Sequence, residues 1–274
     1  MGELLRYSFF ENALWGVLII AVASAMIGTY IVARRLVAIS GGVTHACFGG
    51  LGLGYYLGIS PMAMAAVFAV ASSLGVEWLS AKGRVREDSA IAVVWSLGMA
   101  AGVLFVFLTP GYVPELNSFL FGNILNISKG DLWLFAGYTA LLTGFFAWKY
   151  REIVACAFDR DFAKVAGLPV KFITLVMTVM VALCIVLTIR LVGIMLLMSM
   201  FSLPQMTAEI YTRRFGRMMF LSAIISAIGC TGGLALSAYI DVPCSALIVM
   251  VLGAMFVVSR VIGGAGARRR AGNK

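Results

Sequence analysis

At 274 residues the chain has the length of one large domain or two small ones, yet 62% of its residues are hydrophobic and only 12% charged, against about 25% charged in soluble domains. No water-soluble fold of this size hides so much apolar surface, so lipid is the expected solvent, and several uncharged apolar windows of about 20 residues match a hydrocarbon core about 30 Å thick. The net charge of +9 would suit nucleic acid, but the basic residues sit in short loops between apolar runs, which argues against a nucleic-acid surface.

In chain order the apolar runs predict an all-α, polytopic transmembrane bundle with spans over 13–33, 38–58, 61–80, 89–109, 131–148, 172–189, 192–211, 218–238 and 244–261. The count drops to eight if 172–211 crosses only once. The first run, ENALWGVLIIAVASAMIGTYIVARR, is too long for a cleaved leader, and Arg34 and Arg35 follow its apolar stretch instead of preceding it. With the amino terminus outside and the carboxyl terminus inside, all of the 21 basic residues except Arg6, Lys129 and Arg190 fall on the inner side, as the positive-inside rule requires. A single membrane domain therefore covers 1–262, followed by a basic tail over 263–274, GGAGARRRAGNK, expected to be disordered. The five cysteines show no C-x-x-C or metal-finger spacing and are read as free thiols.

Two loops exceed what a connector needs. The segment 151–171, REIVACAFDRDFAKVAGLPVK, predicts a short helix capped by Asp159, running through Ala166 and closed by Gly167 and Pro169. Such a helix would either offer a knob to a cytoplasmic partner or rest on lipid head groups. The outer loop holds the apolar run FLFGNIL, too short to span, flanked by Asn117 and Asn126, with Asn123 inside it; in lipid these amides would need protein or water partners.

Absent motifs narrow the chemistry. No G-x-x-x-x-G-K-[ST] phosphate loop, H-E-x-x-H or G-x-S-x-G occurs, and one histidine cannot build a multi-histidine zinc centre. The chain is not expected to be an enzyme.

Gly42, Ala46, Gly50, Gly54 and Gly58 recur every four residues and form a small-residue helix-packing face of the kind that lets backbones approach closely in lipid. The only histidine, His45, lies on an adjoining face with Gly49, Gly52 and Tyr56. An ionisable group at membrane depth faces a cavity or a partner; here it would either hydrogen-bond a neighbouring helix or meet a metal ion. Glu209 and Glu77, near the inner ends of their spans, are the acids that would share a cavity with it or else lie at the interface. The 15 methionines are read as packing filler.

The ordered motifs Gly41–Ala46 (GGVTHA), Arg86–Ile91 (REDSAI), Leu120–Ser128 with Asp131-Leu132, Phe158-Asp159…Ala163…Gly167-Leu168-Pro169, Val192-Gly193…Pro204…Ala208, and Pro243…Ile248-Val249…Leu252-Gly253-Ala254 resemble those of the membrane subunit of bacterial ABC importers for zinc, manganese or iron. The resemblance covers about 31–260. It implies a homodimeric permease of the bacterial inner membrane, with a separate cytoplasmic ATP-binding subunit and an extracytoplasmic metal-binding protein as partners. No permanently bound cofactor is implied; the cargo is Zn2+, or Mn2+ or Fe2+. It further implies that Phe158, Asp159, Ala163 and Gly167 belong to an ATPase-coupling segment, and that His45 lies on the metal path. One departure stands out: where the family has Asp three residues before the histidine, this chain has Gly42. Glu209 is the first candidate to replace that acid, and imidazole with a neighbouring thiol such as Cys47 ranks zinc first. The alternatives are a permease for siderophores or cobalamin, or a membrane subunit with no transport path.

Overall fold

A computed structural model of the protein describes residues 8–82, 85–110, 122 and 124–271. Every regular element among them is helical: α1 (Ser8–Ala33), α2 (Val37–Leu57), α3 (Pro61–Lys82), α4 (Glu87–Leu108), a 3-10 turn (Ile124–Asn126), α5 (Lys129–Phe158), α6 (Arg160–Val165), α7 (Val170–Met200), α8 (Leu203–Tyr211), α9 (Phe215–Ile240) and α10 (Cys244–Ala271). Most of the outer-loop run, with Asn117 and Asn123, lies outside the described residues.

Local chemistry accounts for the helix limits. Ser128 caps α5 by accepting from the Asp131 N–H at 3.1 Å, and the Asp131 carboxylate accepts from the Ser128 hydroxyl at 2.7 Å. The Ser128 hydroxyl thus satisfies one backbone donor that the first helical turn leaves open, and the Asp131 carboxylate holds that hydroxyl in place. The helical path of α5 breaks at Lys149 (φ −115°, ψ 25°), one residue after the predicted end of its span at 148. The last helix continues through Ala271, into the expected tail.

Seven stretches are long and apolar enough to cross a membrane, with Val170–Tyr211 counted as one. Contacts resolve that stretch into two passes. At one end of the bundle Asn12 bonds the Ile127 carbonyl (3.2 Å), and Asp131 at the start of α5 pairs with Arg190 of α7 at 2.6 Å. At the other end Glu209 lines a cavity with Arg34, Arg35, Ala157 and Phe158. The chain therefore returns across the bundle between Arg190 and Glu209. Gly193 permits the reversal: its φ of 80° and ψ of 173° lie in a region that only glycine occupies without strain. A second break at Phe201–Ser202 separates α7 from α8. There Gln205 Nε2 donates to the carbonyls of Ser24 (2.9 Å) and Met200 (3.1 Å), the latter an acceptor at the helix end that lipid would leave unsatisfied. Helix α5, diluted by Trp133, Tyr138, Thr139 and Gly144, is not among the seven, yet it runs between the same two ends and fastens to α7 through Tyr138 Oη to the Met180 carbonyl at 2.7 Å. The described residues thus make nine passes.

The core lies among α1, α5, α7 and α9, with Ile20, Ile27, Phe135, Leu142, Met177 and Leu197 fully buried. Helices α1 and α2 are mostly buried, whereas few residues of α3, α4 and α10 are fully buried. All five cysteines are free thiols, as expected.

Candidate functional site

Helix α2 lies in a tight groove between α3 and α4. A side chain at Gly42 would strike Ile91 Cγ2; one at Gly49 would meet the Gly98 carbonyl at 3.0 Å, and one at Gly52 the Gly102 carbonyl at 2.5 Å. Gly98 in turn abuts the Ala46 backbone. Further along, Gly50 faces the backbone of Met64 and Ala65, and a Cβ at Gly54 would come within 2.6 Å of Pro61 Cα. The small-residue stripe therefore serves two neighbours, α4 first and α3 later. At 3.6 residues per turn a four-residue repeat drifts by about 40° each step, so a stripe of this length winds from one groove to the next. Gly58 has a different role from the packing one expected. A Cβ built on it would meet nothing within 4 Å, and with φ +66° it ends α2 in the left-handed conformation that glycine supplies without steric penalty.

His45 is half-buried on the α4 side of this groove, its ring stacked on the Trp95 indole with centroids 4.5 Å apart and planes 6° from parallel. Stacking occupies one face of the imidazole and leaves its in-plane nitrogens open, and no hydrogen bond from a described residue engages them. Met198 of α7 approaches the same place: a side chain at Gly41, one turn before His45, would meet Met198 Cε at 2.9 Å and Trp95 Cζ3 at 3.9 Å. Imidazole, indole and thioether thus surround one turn of α2.

The other residues singled out from the sequence are distributed differently. Cys47 is fully buried in the core, about 200° around the helix from His45, so the thiol does not stand beside the imidazole as proposed. Glu77 is engaged by Arg160 (2.9 Å) and Arg34 (3.7 Å). Glu209 is exposed and lines two cavities at its end of the bundle, of about 680 Å3 with Arg34, Arg35 and Arg213, and of about 880 Å3 with Arg213 and Arg260. No group of three or more His, Cys, Asp or Glu side chains close enough to hold a metal exists among the described residues.

The segment 151–171 forms the short helix that its sequence predicts. Asp159 Oδ1 accepts from the N–H groups of Asp161 (3.0 Å) and Phe162 (2.9 Å). Gly167, at φ +75°, closes α6: its N–H donates to the Lys164 carbonyl and that of Leu168 to the Ala163 carbonyl, each at 3.0 Å. This bond pair is the Schellman closure, for which glycine is favoured. The Lys164 ammonium, 2.9 Å from Asp161, holds that carboxyl below its usual range. Ala163 is fully buried, while Phe158, Phe162 (66% exposed) and Val165 (89%) project outward. Two of these three knobs, Phe162 and Val165, were missed from the sequence, although an exposed aromatic three residues after an N-cap aspartate was the signal available.

These features define a multi-pass helical membrane protein with one imidazole in a glycine-packed groove and a capped apolar knob at one end. The chain belongs to the ABC 3 transport family, whose sequence model it matches over residues 6–263, and the family's members are multi-pass proteins of the inner membrane. It is 32% identical to the probable iron transport system membrane protein of Haemophilus influenzae, covering 94% of each chain. It is 29% identical to the manganese transport system membrane protein MntC of Halalkalibacterium halodurans, covering 94% of this chain and 88% of that one. Among solved structures it is similar to PsaBC from Streptococcus pneumoniae in complex with Fab, with a TM-score of 0.81, 25% identity, and coverage of 93% and 92% of the two chains.

Proposed function

We propose that the chain is the permease subunit of an ATP-driven importer of a first-row divalent metal ion. A homodimer would enclose the path, with the amino terminus outside and the carboxyl terminus inside. A separate cytoplasmic ATPase would dock on α6, and an extracytoplasmic binding protein would deliver the cargo. The observation that carries this reading is the His45 ring, stacked through one face on Trp95 and with no hydrogen bond at its nitrogens from a described residue, in a membrane-embedded groove. Neither ring nitrogen is sealed in the core without a partner, so the ring can offer a lone pair to a cation, as imidazole does in metal sites. The names of the relatives and the exposed apolar end of α6 support the same assignment.

The donor chemistry favours Zn2+ or Fe2+ over Mn2+. Imidazole nitrogen suits zinc and iron, whereas manganese prefers carboxylate oxygen, and the position where the resembled family carries Asp is Gly42. A manganese cargo is the second reading, supported by the name of the MntC relative. Metal-resolved uptake by the reconstituted complex decides between them. Import of a first-row divalent ion that stops in His45→Ala is the expected result; unchanged uptake in that variant would return His45 to a packing role.

A further inference from the structure

At the inner end of the bundle four charges from four elements meet. Arg34, just after α1, lies 3.3 Å from Glu87 Oε1 at the first residue of α4 and 3.7 Å from Glu77 Oε2 on α3. Arg160, the first residue of α6, reaches Glu77 Oε1 at 2.9 Å and Glu87 Oε1 at 3.6 Å. The set contains two cations and two anions, so it is neutral and closed. Arg34 is almost fully buried, with 7% of its side chain exposed, and also donates to the Tyr30 hydroxyl at 3.2 Å. Glu77, Glu87 and Arg160 are only partly buried, so loss of either glutamate weakens, without removing, the compensation of the buried Arg34 guanidinium.

The position of Arg160 matters more than the number of pairs. Helix α6 packs on α5 and α7, and its apolar side, Phe162 and Val165, projects away from the bundle. The guanidinium of Arg160 reaches the opposite way, onto α3 and α4. Helix α4 then runs from Glu87 to Leu108, and Trp95, eight residues and about 12 Å along it, is the ring on which His45 stacks. A push on the exposed side of α6 has a short, stiff route to the imidazole.

We propose that Arg160 and Glu87 are positioning residues of the transport cycle: the Arg34–Glu77–Glu87–Arg160 joint carries the displacement of α6 into α4 and so into the Trp95–His45 stack. This rests on the transport function proposed above and names the internal linkage that function would use. Neither residue touches the cargo; each acts through α4.

The test uses the permease assembled with its ATPase and binding protein in proteoliposomes, reading ATP hydrolysed per metal ion imported. Arg160→Gln and Glu87→Gln are expected to retain the ATPase on purification and to raise ATP consumed per ion about tenfold, within the usual range of coupling effects. Arg160→Lys, which keeps the charge, should recover most of the coupling. A wild-type ratio in both glutamine variants overturns the proposal, as does loss of ATPase capture, which would make Arg160 a docking residue. Should neither glutamine variant assemble, Glu87→Asp, which keeps the charge but shortens its reach to Arg160, replaces them; a raised ratio supports the joint and a wild-type ratio overturns it. If the wild-type complex carries no metal, the transport function falls, and the joint is decided by spin labels at Lys164→Cys and Val93→Cys. Their separation should change on ATP binding in the otherwise wild-type complex and stay fixed with Arg160→Gln; a change that persists with Arg160→Gln overturns it.

Discussion

Ile91 of α4 fills the space that any side chain at Gly42 of α2 would enter: a methyl built on Gly42 overlaps Ile91 Cγ2 and lies 3.4 Å from the Ile91 carbonyl. Glycine at this position is therefore a packing partner of the isoleucine, and a chain with an acid there would have to turn Ile91 aside or hold the helices further apart. Gly42→Asp should destabilise the permease by about 1–3 kcal/mol, the usual range for overpacking, seen as a lower unfolding temperature in detergent. Adding Ile91→Ala should recover part of that loss and shift competition uptake toward manganese, because a carboxylate oxygen joins the imidazole. Wild-type stability in Gly42→Asp alone would refute the packing argument.

His45 and Trp95 separate binding from packing. His45→Ala should remove metal uptake while leaving insertion and thermal stability near wild type, since the ring is only half-buried and makes no hydrogen bond with a described residue. Trp95→Ala should lower uptake less severely, because the imidazole survives but loses its support; an aromatic contact of this kind contributes about 0.5–1.5 kcal/mol. Equal loss of uptake and of folded protein in both variants would mean that the stack is structural.

On α6 the exposed and buried residues should part company. Phe162→Asp places a charge on the projecting knob and should abolish co-purification of the ATPase without lowering the permease unfolding temperature. Ala163→Leu adds bulk at a fully buried site and should instead destabilise the segment by about 1–3 kcal/mol, reported by faster proteolysis between 151 and 171. Identical behaviour of the two variants would show that the outward face of α6 has no special role.

Gly193→Ala tests the reversal in α7. With φ at +80° and ψ at 173°, a Cβ at this position should cost about 1–3 kcal/mol of backbone strain, again read from thermal unfolding. Gly253→Ala, where a Cβ meets nothing within 4 Å, should leave stability unchanged and serves as the control.

The features legible in the sequence were those governed by local rules. The passes followed from apolar length, the end of the fifth from Lys149, and the limits of α6 from Asp159, Gly167 and Pro169, because a cap or a left-handed turn is set by residues within one helical turn. The glycine stripe also announced a tight helix contact. Its partners were not legible, because whether Gly42 faces Ile91 and Gly54 faces Pro61 depends on how far a four-residue repeat winds around α2 between two neighbours. Likewise the sequence marked Ala163 for coupling, and only the packing of α6 on α5 and α7 showed that it points inward and Phe162 outward.

By itself, then, the sequence determined that this protein lives in lipid, crosses it repeatedly, and carries one imidazole on a bare-backbone helix: hydrophobic length and helical period act over a few residues. Only the tertiary structure decided that Trp95 backs the imidazole, that Cys47 turns away from it, and that Glu77 and Glu87 belong to arginines at one end of the bundle. Those pairings join residues tens of positions apart, and which charges meet there is fixed by how the helices are arranged.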